Sequence, residues 1–539
     1  MIRGILSLYA PGYAYKVTDM FVRNHRRVGK YLAAYWQTTD FSAKAILPPH
    51  FKARERFTLR VIQAGMIAQV LAGLVCIYFD LFGSFMGGWQ FGLATIVAYP
   101  LVWAHLLPLA AGLWWLTRPK ALGRALLCAL LEAQVRRLRK RHAFKVVAVA
   151  GSVGKTSTKI AIAHVLQASQ RVQWQEGNYN DRVTVPLIFF GHNEPGIFNV
   201  PAWLNILRKN EQLIRKPYPY DVVVAELGTD GPGFMAEFAY VRPDVAVVTA
   251  ITPEHMEYFG TLDAVAQEEL TILHFAKRTL LNSDDTPAAY LVDRDYTGYG
   301  LDKQAPYHAT LVGTQTLQGQ QVRFTLAQGK TFEATIPLLG NQGAKIALAA
   351  AAAADMLDVP LPDIQKGIAA VTAFAGRMQI LPGIKGSTII DDTYNASPVA
   401  VQAALDVLQR TPAPQRIAIL GSMNELGDYS PQAHREMADY CDPAKLDMVI
   451  ALGPDAVEYF APAARAKGCT VETFLDPYKA GVFVKALLKD NAVILAKGSQ
   501  NRVFAEESLK VLLASKADQK KLVRQSAYWM SVKAKQFTP

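Results

Sequence analysis

From Phe144 onward, short runs of continuous apolar residues alternate with longer stretches whose apolar positions recur every three or four residues. That alternation is the pattern of an α/β fold. Val146–Ala150, Asp221–Glu226 and Val245–Thr249 read as buried strands, and Lys159–Gln167 and the alanine-rich Ala344–Met356 as core helices. Between them lies a more β-like stretch, Tyr307–Thr335, with strict alternation over Gln321–Leu326. A second α/β unit starts near Ala373. Its strands are expected at Thr388–Asp391, Arg416–Leu420, Met448–Leu452 and Ala492–Ala496, and its helices at Val399–Gln409, Ser430–Tyr440 and Val503–Ala514. The tail beyond Ser515 is basic and is expected to be mobile.

The pattern ahead of Phe144 differs. Val61–Phe82 and Leu93–Leu116 are apolar spans, each long enough for a helix to cross a hydrocarbon core of about 30 Å. No Lys or Arg stands between Arg60 and Arg118, and Asp80 is the only acidic residue there. The link Gly83–Phe91 is uncharged, and Trp89, Trp103, Trp114 and Trp115 suit interfacial anchoring. Arg23, Arg26, Arg27, Lys52, Arg54, Arg56 and Arg60 precede the spans; Arg118, Lys120, Arg124 and the cluster Arg136–Arg141 follow them. Basic flanks on both sides predict a transmembrane hairpin with both ends cytoplasmic, and with it a cytoplasmic-membrane localisation. The spans begin too far into the chain for a cleaved signal peptide.

Charge sharpens this division. The chain of 539 residues has a net charge of +12, but residues 1–145 hold 20 Lys/Arg and 5 Asp/Glu, so the remainder is −3. The basicity belongs to the N-terminal region, and no nucleic-acid-binding module accompanies it. The four cysteines, Cys76, Cys128, Cys441 and Cys469, form no C-x-x-C pair, which argues against a zinc ribbon or a disulfide framework.

The candidate chemistry begins at Gly151-Ser152-Val153-Gly154-Lys155-Thr156-Ser157, set between a strand and a helix. Backbone N–H groups of such a loop and the helix N-terminus face phosphates, Lys155 reaches the terminal phosphates, and the Thr156 hydroxyl suits Mg2+. Val149 stands where a strict Walker A motif has glycine. Glu226 ends a strand at the edge where α/β folds bind ligands, and suits a Mg2+ held on nucleotide phosphates. His255, in Thr252-Pro-Glu-His-Met-Glu-Tyr-Phe-Gly260, follows another strand as a ligand or base, with Glu268-Glu269 shortly after. Asp391-Asp392-Thr393-Tyr394-Asn395-Ala-Ser-Pro398 ends a strand of the second unit and suits a ribose and a base; Gly376-Arg377 precedes it with a cation for a transferring phosphoryl group.

In order, these motifs resemble the Mur ligases of peptidoglycan synthesis over about residues 144–515. Further parts of the resemblance are Gly177-Asn178-Tyr-Asn180-Asp181 with Val185-Pro186, Phe259-Gly260, Gly421-Ser-Met-Asn-Glu425-Leu426-Gly427 and Lys497-Gly498-Ser499. The Tyr-Asn-Ala-Ser-Pro and Met-x-Glu-Leu-Gly loops favour the type that adds D-alanyl-D-alanine to a muramoyl tripeptide. The resemblance implies a P-loop central ATPase domain and a Rossmann-like C-terminal ligase domain, here preceded by the hairpin. Its expected segments are 1–59 basic, 60–117 hairpin, 118–143 basic helix, 144–373 central domain, 374–515 C-terminal domain and 516–539 tail.

It also implies an ATP- and Mg2+-dependent ligase that forms an acyl phosphate and then an amide. Gly151, Ser152, Gly154, Lys155, Thr156 and Ser157 would cradle the nucleotide. Thr156 and Glu226 would hold one Mg2+ and His255 a second. Lys155 and Arg377 would neutralise the phosphoryl group. Asp392 would bind the ribose, and Tyr394 and Asn395 would line the nucleotide. Asn178 and Asn180 would face the acceptor, while Lys497, Gly498 and Ser499 would meet the amino substrate.

Three departures follow. The position of the family's carbamylated lysine falls on Glu269, a carboxylate in its own right; a shift of register would put Glu268 or Gln267 there instead. The family's Gly-x-His-Asn segment is Gly340-Asn341-Gln342-Gly343, so the base must be recognised differently. The N-terminal UDP-binding domain is replaced by the hairpin, which leaves a partner protein, a membrane-linked acceptor or the central domain alone to recognise the acceptor. A lipid-linked carboxylate substrate, an ATP-driven membrane switch and an inactive scaffold are the competing readings.

Overall fold

The computed structural model describes residues 7–10, 12–23, 28–38, 41, 53–81, 88–116, 119–196 and 199–537. The chain divides into two compact units, residues 1–129 and 130–539.

The first unit is helical: Tyr13–Arg23, Val28–Gln37, Ala53–Leu81 and Gly88–Leu116. The two long helices cross closely at glycines, since a Cβ on Gly73 would lie 2.7 Å from the Gly92 carbonyl oxygen. Trp103 packs its ring on Gly65 and donates its indole N–H to Gln69 at 2.9 Å, while Gln69 donates to the Thr95 carbonyl. The short helices, with Phe41 beyond them, supply a buried aromatic cluster of Tyr13, Tyr31, Tyr35 and Phe41. Tyr13 and Tyr31 donate to the carbonyls of Pro100 and Ala104.

This unit overturns the hairpin expectation. Both apolar spans are helical, yet no helix among the described residues is long and apolar enough to cross a membrane. Gln63, Gln69, Gln90, Thr95 and His105 punctuate the two helices with polar groups. Trp103 serves the crossing between them. The transmembrane hairpin, the membrane as a partner and the membrane localisation are therefore withdrawn. Arg26, Arg27, Lys52, Arg118 and positions 82–87 of the link lie outside the described residues, as do the side chains of Trp114 and Trp115.

The second unit carries two sheets. The first has the order β2-β3-β1-β4-β5-β6-β7-β8-β9. Its strands are β1 (Lys145–Ala150), β2 (Val172–Gln173), β3 (Val222–Glu226), β4 (Val245–Val248), β5 (Thr279–Asn282), β6 (Thr297–Gly300), β7 (Tyr307–Thr316), β8 (Gly319–Thr325) and β9 (Thr331–Ile336). Pairing is parallel from β2 through β7 and antiparallel from β7 to β9. Continuous apolar runs are what a sheet covered on both faces requires. Val147 and Val149 face a core built with the helices Lys155–Gln167, Gly340–Met356 and Leu361–Ala369. Val146, Ala148 and Ala150 face the opposite core with Val135, Leu138 and Phe189. Val149 is thus a core residue of the strand.

The helix Pro119–Arg141 is not a free basic arm over its second half. Leu131, Val135 and Leu138 are buried, Glu132 holds Arg182 at 2.6 Å, and Arg139 pairs with Asp244 while donating to the carbonyls of Phe144 and Arg242. Acidic side chains and carbonyls of the α/β body take up part of the charge in the Arg136–Arg141 cluster.

The second sheet runs β10-β11-β15-β12-β13-β14. It comprises β10 (Gln379–Pro382), β11 (Thr388–Asp392), β12 (Arg416–Gly421), β13 (Met448–Leu452), β14 (Val471–Phe474) and β15 (Val493–Lys497), all parallel except the edge strand β10. Its carboxyl ends gather Asp391, Asp392 and Lys497, as the ligand edge of such sheets does.

Two expectations fail near the C-terminus. The helix Val503–Ala514 shrinks to Glu506–Leu509, because Arg502 and Phe504 take positive φ of 67° and 48° and break its first turn. The tail is not a loose basic end. It folds into a 3-10 turn at Lys516–Lys521 and a helix at Ala527–Gln536, and its Lys533 is fully buried against Glu506 and Glu507.

Candidate functional site

The phosphate loop grows out of the end of β1. Gly151 and Gly154 have φ of +115° and +88°, where side chains are strained. At Gly151 there is also no room, since a Cβ would lie 2.6 Å from Thr249 Oγ1 and 2.8 Å from its nitrogen. The helix Lys155–Gln167 follows directly, so its N-terminus faces the loop.

Thr156 donates its hydroxyl to Glu226 Oε1 at 3.2 Å, a contact set by the β1–β3 register that places Val149 beside Glu226. Asn180 donates to the same oxygen at 3.2 Å. Glu226 Oε2 is buried and accepts no hydrogen bond, while the Lys159 ammonium stands 3.3 Å away and donates to the Gly177 carbonyl. Burial lowers the Lys159 pKa, with Glu226 opposing. Lys155 donates to the Gly151 and Ser152 carbonyls and pairs with Glu254 at 3.1 Å. Burial disfavours its charge, but Glu254, Glu269 and Glu226 outweigh that and raise its pKa.

His255 sits between two carboxylates. Its Nδ1 is 2.9 Å from Glu425 and its Nε2 is 3.3 Å from Glu254. Burial works against its charge, yet hydrogen bonds to both carboxylates push its pKa up to about 10. Glu425 belongs to the loop after β12, so this pair joins the two sheets' domains.

Of the three register options past His255, only one reaches the phosphate loop. Gln267 is exposed, and Glu268 turns away to accept the N–H groups of Gly233 and Met235. Glu269 accepts the Gly151 N–H at 2.7 Å and the Thr229 hydroxyl at 2.9 Å. Its burial raises its pKa, with Lys155 opposing. Glu269 therefore stands beneath the loop's first glycine and does not line the cavity.

From the second sheet, the Arg377 guanidinium lies 4.1 Å over the Tyr394 ring. Asp392 is already engaged, accepting Lys497 Nζ at 2.6 Å and the Met378 N–H at 3.1 Å. Lys497, expected at the amino substrate, thus ties the ends of β11 and β15 together and also donates to the Asn395 carbonyl. Ser499 accepts the Asn424 N–H, and Gly498 packs on Gly421.

A cavity of about 680 Å3 brings these parts together. Ser152, Gly154, Lys155, Thr156, Ser157, Asn178, Asn180, Glu226, His255, Arg377, Asp392, Tyr394, Asn395 and Lys497 all line it; Gly151, Glu269, Gly498 and Ser499 do not. Asn341 and Gln342 line it too. At Gly343 a Cβ would lie 2.5 Å from the Leu338 carbonyl carbon, so the backbone excludes an asparagine there.

Glu254, Lys159 and the Lys345–Asp285 pair (2.8 Å), all at this cavity or against its floor, carry no motif that marks them in the sequence. Glu254 adjoined a flagged histidine, and Lys159 lies three residues past Thr156 on one helix face. For Lys345 no local signal exists. No group of three or more His, Cys, Asp or Glu able to hold a metal occurs among the described residues. The buried Glu226 carboxylate, with the Thr156 hydroxyl on Oε1 and only the Lys159 ammonium near Oε2, nonetheless fits Mg2+, which takes one or two protein ligands plus phosphate and water.

Burial pushes Asp391 up to about 7 from 3.8, against the hydrogen bonds it accepts from Thr393. Between those values the folded chain keeps a proton that the unfolded chain has lost, so this group's contribution to stability falls as pH rises through the window. D391N mimics the protonated form. Its urea midpoint relative to wild type is expected to be higher at pH 8 than at pH 5; equal differences at both would contradict this.

Comparison with known proteins agrees with this layout. Residues 149–354 match the Mur ligase middle domain and residues 376–500 the Mur ligase glutamate ligase domain, together more than half of the chain. Similar proteins include UDP-N-acetylmuramoyl-tripeptide–D-alanyl-D-alanine ligases. That of Bacillus subtilis is 28% identical over 57% of this chain and 63% of its own length. Those of Haemophilus influenzae and Escherichia coli are 28% and 27% identical, each over 68% of this chain, and the match spans 76% and 77% of their lengths. Among solved structures, MurF from Acinetobacter baumannii has a TM-score of 0.58 at 23% identity, covering 71% of this chain and 79% of that one. MurF from Thermotoga maritima in complex with ADP has a TM-score of 0.59 at 23% identity, covering 74% and 85%. These structures establish a shared fold, and the two domain matches, each falling on one of the two sheets that face the cavity, establish that the chain belongs to the Mur ligase family.

Proposed function

We propose that this chain is an ATP-dependent amide ligase of the MurF type, joining D-alanyl-D-alanine to a UDP-N-acetylmuramoyl-tripeptide. The observation that carries this reading is the single cavity in which Lys155, Thr156, Glu226 and His255 from one sheet meet Arg377, Tyr394 and Asn395 from the other. The Mur-ligase domains on both sides and the MurF-type relatives support it.

A tripeptide carboxylate oxygen attacks the γ-phosphorus of ATP and ADP leaves, giving an acyl phosphate. The amine of D-alanyl-D-alanine then attacks the acyl carbon, phosphate leaves, and the amine's proton passes to solvent. Lys155 and Arg377 neutralise the phosphoryl oxygens, where positioning and charge supply most of the catalysis. Thr156 and Glu226 would hold Mg2+, which would supply further charge neutralisation when bound. Tyr394 and Asn395 orient the nucleotide, and Asn178 and Asn180 present the acceptor. Glu269 places a carboxyl group coupled to Lys155 under the loop, where relatives of this type use a carbamylated lysine. Asp392 orients the nucleotide loop through Lys497, and Asn341 and Gln342 face the base.

The purified full chain is expected to release ADP only when UDP-muramoyl-tripeptide and D-alanyl-D-alanine are both present. ADP release indifferent to both substrates would refute the ligase reading. Turnover with a different carboxylate and D-alanyl-D-alanine, but none with UDP-muramoyl-tripeptide, would refute the assignment of the acceptor.

A further inference from the structure

The C-terminal strap, residues 516–537, lies beyond the matched segment 376–500 and has no part in the roles assigned above. Buried charges fasten it. The Lys533 ammonium sits 2.9 Å from Glu506 and 2.6 Å from Glu507 and donates to the Arg524 carbonyl at 2.8 Å. Glu507 also pairs with Lys510 and accepts Gln525 Nε2. Burial pushes Glu507 up, but its bonds from Lys510 and Lys533 outweigh that and hold its pKa below the ordinary value. Desolvating such charges is costly unless their geometry is met, so the foot of the strap has one well-defined position.

That foot sets Arg524, whose φ of +55° fits a constrained turn. Its guanidinium is used as a fork. Nε and Nη2 each donate to Glu506 at 2.8 Å, Nη1 donates to the Tyr394 carbonyl at 2.9 Å, and Nη2 also donates to the Thr393 carbonyl. Thr393 and Tyr394 are the centre of the loop after β11. The preceding strap residue, Val523, packs against Gly376, where a Cβ would lie 2.7 Å from Val523 Cγ1. The two gripped segments also hold each other, with the Tyr394 N–H donating to the Gly376 carbonyl at 2.9 Å. Together they bring the stacked Arg377 and Tyr394 to the cavity. Arg524 itself does not line it.

We infer that Arg524 is a positioning residue for the nucleotide: from behind the cavity wall it holds the Thr393–Tyr394 backbone, and through it the Arg377–Tyr394 stack, in the geometry that receives ATP. The inference rests on the reading of this cavity as a nucleotide site. Only arginine has the planar fork that spans a carboxylate and two carbonyls at once; lysine offers a point charge.

The test is ADP binding to the full chain in the presence of Mg2+, by calorimetry, with melting temperature recorded for each variant. R524A is expected to weaken ADP binding roughly tenfold, the size expected for charged hydrogen bonds lost from a buried site. Millimolar guanidinium is expected to restore part of that affinity, and R524K to fall between wild type and R524A. A folded R524A that binds ADP like wild type overturns the inference. So does a loss of affinity that guanidinium leaves unchanged, since that marks a merely structural strap. If R524A does not fold, R524K decides: it keeps a partner for Glu506, so wild-type ADP affinity in that variant overturns the inference and weakened affinity supports it. Wild-type protein that binds no ADP would refute the nucleotide reading itself, a result distinct from ADP binding that is insensitive to position 524.

Discussion

Lys155→Ala is expected to lower the rate of ADP release by about a thousandfold or more, the scale on which phosphoryl transfer loses a charge placed at the transferring group. The residue lies at the first turn of a helix whose N-terminus faces the cavity, held by the Gly151 and Ser152 carbonyls. Its charge is secured because three carboxylates surround it: Glu254, Glu269 and Glu226. The alanine variant keeps the glycines that shape the loop but removes the cation among Glu254, Glu269 and Glu226, so its melting temperature should fall while the protein stays folded. Single-turnover ADP release with both substrates measures the effect. Activity within a few-fold of wild type would remove Lys155, and with it the phosphate-cradle reading, from the mechanism.

Glu269→Gln separates charge from geometry beneath the same loop. The amide oxygen can still accept the Gly151 N–H, and the amide nitrogen can still donate to Thr229 Oγ1, so the loop keeps its support. What disappears is a negative charge coupled to Lys155. The expected result is a fall in kcat of about tenfold to a hundredfold with a folded protein, in the range typical for removing one electrostatic group from a reacting centre. Glu268→Gln supplies the contrast. That carboxylate caps backbone N–H groups of Gly233 and Met235, so its loss should lower stability and leave kcat nearly unchanged. Unchanged kcat in the Glu269→Gln variant would refute the role assigned to its charge.

Much of the fold was legible because its strands are continuous apolar runs and its helices keep a clear apolar face. The expected strands at 146–150, 221–226, 245–249, 388–391, 416–420, 448–452 and 492–496 each lie within a residue or so of an observed one. What local pattern could not convey was environment. The spans near 61–82 and 93–116 read locally as membrane helices, but their use in glycine-mediated crossing and tyrosine packing depends on partners dozens of residues away. The tail reads as basic and mobile because Lys533 and Arg524 look solvated until Glu506 and Glu507 are placed against them.

The sequence by itself determined the α/β class, the phosphate loop, the Mur-ligase resemblance and many of the polar residues that reach one cavity, because turn glycines and strand-end side chains are specified by local chemistry. Only the tertiary structure decided which of those polar groups are free to meet a ligand. Asp392 and Lys497 neutralise each other across neighbouring strands, Glu269 and not Glu268 points under the loop, and His255 is held by a glutamate from the second domain. Each of these is a pairing between residues up to 170 positions apart, set by strand register and domain packing, which no local spacing encodes.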